Sequence, residues 1–288
     1  MRTVTNVLTA CAIFLFSVTP TRAQTQPGQC FFHAFDAGSG SNTAPKSINR
    51  WGNIVGTADP VGNFIRFTNG RTSALNIALP SPTVLYRNAF GDMVGLSFDS
   101  NAQHDQGFIT GNGKVTVVKF PGLLNTTLTS LNRYGTALGR ADNGSFTGPP
   151  PPIVQKVFTW RDGAFKVVHT ATKQLEVIDP QVITDTGVIA GDHTVRLASG
   201  DLRLHGFVII DGKMQDVLVP GAIETNIRDM NARGWFIGNY QMVANGPLRN
   251  FLFEDGKFID IETPNSNGMV TGINGFGEVT GFFSRLAK

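Results

Sequence analysis

Carboxylates and imidazoles recur at matched places along this chain of 288 residues. Asp59, Asp99, Asp142 and Asp192 each follow a recurring glycine by a few residues, and His104, Asp105 and His193 accompany them. If the loops carrying these groups converge, they offer two chemistries: oxygen ligation of a divalent cation such as calcium, or proton transfer between an acid and a base. The plainer reading is that aspartate stands there because its side chain closes turns. The spacing matches neither an H-E-x-x-H helix nor an EF-hand loop. A second set is aromatic. Trp51, Phe90, Tyr134 and Phe276 each directly precede a glycine in a turn signal. Arg50 and Arg133 precede two of these rings, and Arg233 holds the ring position in another copy. Rings and guanidinium groups on turn tips make a platform for a glycan or for a protein partner. The competing reading folds each ring beneath the neighbouring unit as a packing contact. The preponderance of Phe, 22 against three Tyr and three Trp, suits that role. No nucleophile elbow, Walker loop or dinucleotide fingerprint after a strand occurs.

One repeat positions both sets. An Asn or other polar residue, two residues, Gly, three residues and a second Gly recur six times: Asn49 to Gly56, Asn88 to Gly95, Asn132 to Gly139, Thr184 to Gly191, Asn231 to Gly238 and Asn274 to Gly281. Asn opens a turn and Gly supplies the positive φ that closes it. The flanks are short and rich in β-branched residues, so each copy reads as strand, turn, strand. A further hairpin precedes five of the copies, clearest around Asp255-Gly256, Asp211-Gly212 and Asp162-Gly163. Pro80, Pro121, Pro220 and Pro264 close four of these hairpins, while Asp179-Pro180 follows a longer insert in the remaining one. Each unit is thus four short strands, except that the first, near Phe31 to Asp36, lacks its opening strand. Four-stranded units at this period predict an all-β, six-bladed β-propeller; a β-solenoid is the alternative. Alternation places both turn types at one end of the blades and the remaining loops at the other.

The units resemble the extracellular HAF-type repeat family. The match is carried by His205-Gly206-Phe207-Val208 and by Ile273-Asn274-Gly275-Phe276-Gly277-Glu278-Val279-Thr280-Gly281, and it extends from about Phe31 to Phe283. The resemblance implies an exported, propeller-like repeat protein. It implies no catalytic residues.

The first 23 residues have the form of a secretory signal: Arg2, an apolar run from Val7 to Val18, and small residues at Thr21 and Ala23, where cleavage is expected. Residues 24–288 then form one domain, secreted or periplasmic, with no membrane span. The chain has 24 Lys and Arg against 21 Asp and Glu, and loss of Arg2 and Arg22 leaves 22 against 21. That balance, without a basic run, excludes nucleic acid as a partner. Cys30 alone remains after cleavage, so no internal disulfide forms. Gly148-Pro149-Pro150-Pro151-Pro152 reads as a stiff spacer, and Asn125-Thr126-Thr127 and Asn143-Gly144-Ser145 fit glycosylation sequons. Two functional classes follow: a binding or scaffolding module working through the aromatic tips, or a hydrolase or lyase with an acidic site at the channel mouth.

Overall fold

The computed structural model describes residues 5–7, 32–39, 42–144, 154–171, 177–263 and 268–284. Among them are 23 strands and no helix. The strands form five four-stranded antiparallel sheets and one three-stranded sheet. Each four-stranded sheet follows chain order outward, as in blade 1: Thr43–Ile48, Ile54–Ala58, Gly62–Arg66 and Thr72–Ala74. The first strands of the other blades are Pro82–Arg87, Asn125–Leu131, Ile178–Ile183, Glu224–Met230 and Met269–Ile273. These innermost strands touch in succession, and that of the sixth blade meets that of the first, so the sheets close a propeller ring.

The two repeated glycines do different work. The first has positive φ in every unit, from 74° at Gly52 to 98° at Gly91, as turn closure requires. The second lies in the second strand, opposite a bulge in the innermost strand. In blade 2 the pairing steps from Val84 to Tyr86 across the bulge, and Gly95 faces Val84. The bulge presses the carbonyl of Thr83 against Gly95, where a Cβ would collide with it; the same holds at Gly56, Gly139, Gly191, Gly238 and Gly281. On its other side, this glycine pairs with a third-strand phenylalanine: Phe64, Phe108, Phe158, Phe207 or Phe251. All five rings are fully buried and form the centre of their blades.

Three expectations need correction. Pro180 does not end a strand. It stands inside the innermost strand of blade 4, opposite Gly191 at the bulge, an irregularity at which proline is tolerated. Residues 32–36 form no strand. Phe35 nevertheless packs edge-on against Phe64 beneath Arg66. The Ala37 N–H bonds the Thr43 hydroxyl as Phe120 and Val219 bond Thr126 and Thr225. The segment therefore takes the fourth-strand exit of the sixth blade, without a neighbouring strand of its own. The third strand of that blade is the short segment Thr5–Val7, paired with Val279–Ser284; it lies within the stretch read as a secretory signal, so cleavage at Ala23 would leave this blade two strands. Finally, Asn125 is no glycosylation site. It is buried, and its amide donates to Asp142 and to the Gly144 carbonyl. The cleavage site at Ala23, Cys30 and the polyproline stretch lie outside the described residues. Among those residues, no helix is long and apolar enough to cross a membrane.

Side chains stitch the blades in pairs. The turn asparagines are buried, and each accepts N–H bonds within its own turn, as Asn274 does from Phe276 and Glu278 at 3.0 Å. Asn49, Asn132 and Asn231 also reach into the next blade, to the carbonyls of Asn88, Thr184 and Asn274. Ser47, Ser130 and Asp229 accept the N–H of Arg87, Ile183 and Ile273. Asn63, Gln155 and Asn250 clamp the innermost strand of the following blade through its carbonyl and N–H groups. Every one of these bonds runs from an odd blade to the even blade after it. Of the even-blade turn residues, Asn274 reaches onward, to the Asn49 carbonyl, and so helps close the ring. Asn274→Ala removes that bond and leaves two turn N–H groups without their acceptor. It is expected to cost about 2 kcal/mol in chemical denaturation, against about 0.5 kcal/mol or less for the exposed Lys114→Ala.

Candidate functional site

At the end of the ring where the glycine turns lie, Trp51, Phe90, Tyr134 and Phe276 are 57%, 73%, 55% and 59% exposed. They occupy the same turn position, two residues after the asparagine, and therefore ring the mouth of the channel. Their backbone N–H groups bond the asparagine Oδ1, which fixes each tip. The packing alternative fails for most of their surface. It holds in part for Trp51, whose indole N–H donates to the Ala89 carbonyl of blade 2 at 3.1 Å. Arg50 lies over Trp51 and Arg133 over Tyr134, each 5.2 Å from the ring centroid. Arg133 also pairs with Asp185 of blade 4 at 3.1 Å. Arg233 fills the ring position of blade 5 and stacks on Trp235 at 4.8 Å. Nothing in the sequence repeat pointed to Trp235, because it stands one residue beyond the glycine.

Blade 4 breaks the crown. Its tip residue is Thr186, and beside it a cleft of about 270 Å³ opens between blades 4 and 5, lined by Val188, Val208, Val217, Ala232 and Phe236 among others.

The acids at the opposite end do not converge. Among the described residues no group of three or more His, Cys, Asp or Glu side chains is placed to hold a metal ion. Asp59 accepts the Asn42 amide at 2.9 Å. Asp99 accepts the N–H groups of Ala102 and Asn101, which hold its carboxyl below the usual range. Asp142 closes its turn by accepting the Gly144 N–H. Asp99 and Asp142 behave as turn formers, and Asp59 ties its turn to Asn42. His104 pairs across its hairpin with Asp99, and burial raises the Asp105 carboxyl. His193 bonds Asp216 at 2.9 Å on the flank of blade 4, with His205 on the other carboxylate oxygen at 3.4 Å.

Asp192 differs from the rest. It is 6% exposed, and its Oδ1 has no hydrogen-bond partner. Burial and the neighbouring Asp179 push its carboxyl up to about 7, against the pull of Arg228 and Arg140. Asp179 itself pairs with Arg140 at 3.5 Å and accepts the Gln181 amide. A carboxyl that keeps its proton near neutrality thus adjoins a second carboxyl paired with a cation. Lys46, in the innermost strand of blade 1, has its ammonium pushed down by burial and by Arg228. Arg140 was missed in the sequence although it stands directly after the second glycine, the place that Asp192 holds in its own unit.

No family model matches the chain, and no curated protein matches it in sequence. Two of the solved structures that are similar in shape are lyases. One is a streptogramin B lyase, at 12% identity and a TM-score of 0.42, covering 84% of this chain and 93% of that one. The other is a catalytically inactive virginiamycin B lyase from Staphylococcus aureus with quinupristin, at 10% identity and a TM-score of 0.44, covering 85% and 96%. At that level the likeness carries no argument about activity.

Proposed function

We propose that this protein is an exported binding or scaffolding module whose turn face engages a glycan or a protein partner. One observation carries the reading: four large aromatic side chains stand more than half exposed at equivalent turns around one end of a ring. Folding gains by removing such rings from water, and these remain outside on rigid hairpins. Trp, Tyr and Arg are also the residues that most often dominate interface energy. Kinship with the HAF-type repeat family belongs to the same proposal and rests on the shared turn pattern.

The test is the double variant Trp51→Ala with Tyr134→Ala, compared with wild type on glycan arrays and against purified extracellular proteins. Two anchors of this kind contribute about 1–2 kcal/mol each, so affinity for the ligand should fall at least tenfold. Unchanged affinity removes the platform. A second reading, a hydrolase or lyase at the channel, is favoured only by the proton-retaining Asp192 beside Asp179. Bound divalent metal in the purified protein, lost on Asp179→Ala with Asp192→Ala, would promote it.

A further inference from the structure

The cleft between blades 4 and 5 is the place of an absent ring. At the junction of blades 1 and 2, Trp51 spans to Ala89 and donates its indole N–H to that carbonyl. The same turn position in blade 4 is Thr186, and the residue across the junction, directly after the turn asparagine of blade 5, is Ala232. Both line the cleft. The third strand repeats the difference. Phe67 follows Ile65 by two residues in blade 1, and Ile210 holds that place after Val208 in blade 4, as the pairing of Val55 with Ile65 and of Ala190 with Val208 establishes. Where blade 1 supplies two aromatic rings, blade 4 supplies Thr and Ile, and the space stays open to solvent on the face that carries the crown. The junction also lacks the odd-to-even side-chain bonds described above, so nothing in that set bridges it.

We propose that this cleft receives the aromatic side chain of a protein partner, its ring between the blades and its N–H or O–H donated to the Ala232 carbonyl as Trp51 donates to Ala89. This rests on the turn face being a binding surface, and narrows its partner to a polypeptide that presents Trp or Tyr. The valines, Ile210, Met230 and Phe236 provide burial for the ring, the Ala232 carbonyl orients it, and Thr186 and Gln215 stand at the polar part of the lining. At about 270 Å³ the cleft holds one ring and its stem rather than a larger ligand.

The probe is N-acetyl-tryptophanamide, titrated into the full chain and followed by isothermal titration and ligand-observed NMR, with N-acetyl-alaninamide as control. Saturable binding of the tryptophan probe alone is expected. Thr186→Trp supplies the absent ring from within. It should fold, melt no lower than wild type, and weaken the probe at least tenfold. Ile210→Phe restores the residue type of blade 1 and should weaken binding as well, which keeps the test open if the larger substitution fails to fold. Trp51→Ala with Tyr134→Ala should keep the probe while losing the partner. No saturable binding by wild type, or equal binding by wild type and both filled variants, overturns the cleft. Partner capture that persists through the crown in that case leaves the binding face standing without it.

Discussion

Replacing Gly95 by alanine is expected to lower the free energy of unfolding by about 3 kcal/mol or more, enough to remove a large part of a domain's stability. The reason lies in the bulge. The innermost strand carries one extra residue, and its backbone swings toward the second strand. The Thr83 carbonyl then occupies the volume that a Cβ at Gly95 needs, and the Phe108 ring closes the other side at 3.0 Å. Backbone and a fully buried ring cannot yield as the end of a flexible side chain can. Relief requires the bulge to flatten or the blade to part from its neighbour, and both expose core. Gly111→Ala in the same blade is the control. A Cβ there meets only the Asp92 carboxylate at 3.5 Å, at a φ outside the positive range. Its cost should stay within about 0.5 kcal/mol. Thermal and urea unfolding of both variants decide the matter, and equal stability of the two would show that the innermost strand moves freely.

The second large effect is a dependence of stability on pH. An unfolded aspartate titrates near about 3.9, whereas Asp192 in the fold is pushed up to about 7. Between those values the folded state holds a proton that the unfolded state has released. The contribution of this group is therefore greatest below about pH 4 and declines as pH rises through about 7. Each unit of displacement is worth about 1.4 kcal/mol, so a displacement of roughly three units makes the decline on the order of 4 kcal/mol. Burial pushes Asp229 the same way, opposed by N–H bonds from Ile273 and Met230. The wild-type curve thus contains both groups, and only the difference from Asp192→Asn isolates one. That variant should match wild type near pH 4 and exceed it by about 3–4 kcal/mol at pH 8. Parallel curves for the two proteins would mean that Asp192 is ionised in the fold and solvated through the channel.

Blade number and turn placement were legible because they depend on backbone conformation, which Asn and Gly report locally. The four tip aromatics were legible for the same reason, although the sequence favoured their burial. A turn that directs its i+2 side chain away from the sheet leaves a ring outside whatever its hydrophobicity. The second glycine was visible but misleading. It looks like a companion of the turn and serves instead a bulge, which no single strand announces. Asp59, Asp99, Asp142 and Asp192 hold similar places in the repeat, yet only Asp192 is buried without a partner on one oxygen. That difference is set by burial and by Asp179, which the register of the innermost strand places opposite it. The cleft was not legible at all, since it is defined by two missing rings.

Threonine at 43, 126 and 225, against Pro82, Ile178 and Gly268 at the matching places, marks an alternation that the simple glycine count conceals. Blades of one kind give and blades of the other kind receive. The heritable module is then a couple rather than a single blade, and the ring has an approximate threefold symmetry beneath its sixfold outline. Inserting or deleting one blade would set donor against donor at the seam, whereas gain or loss of a couple would preserve every seam. Relatives built on this plan should therefore differ in circumference by even steps.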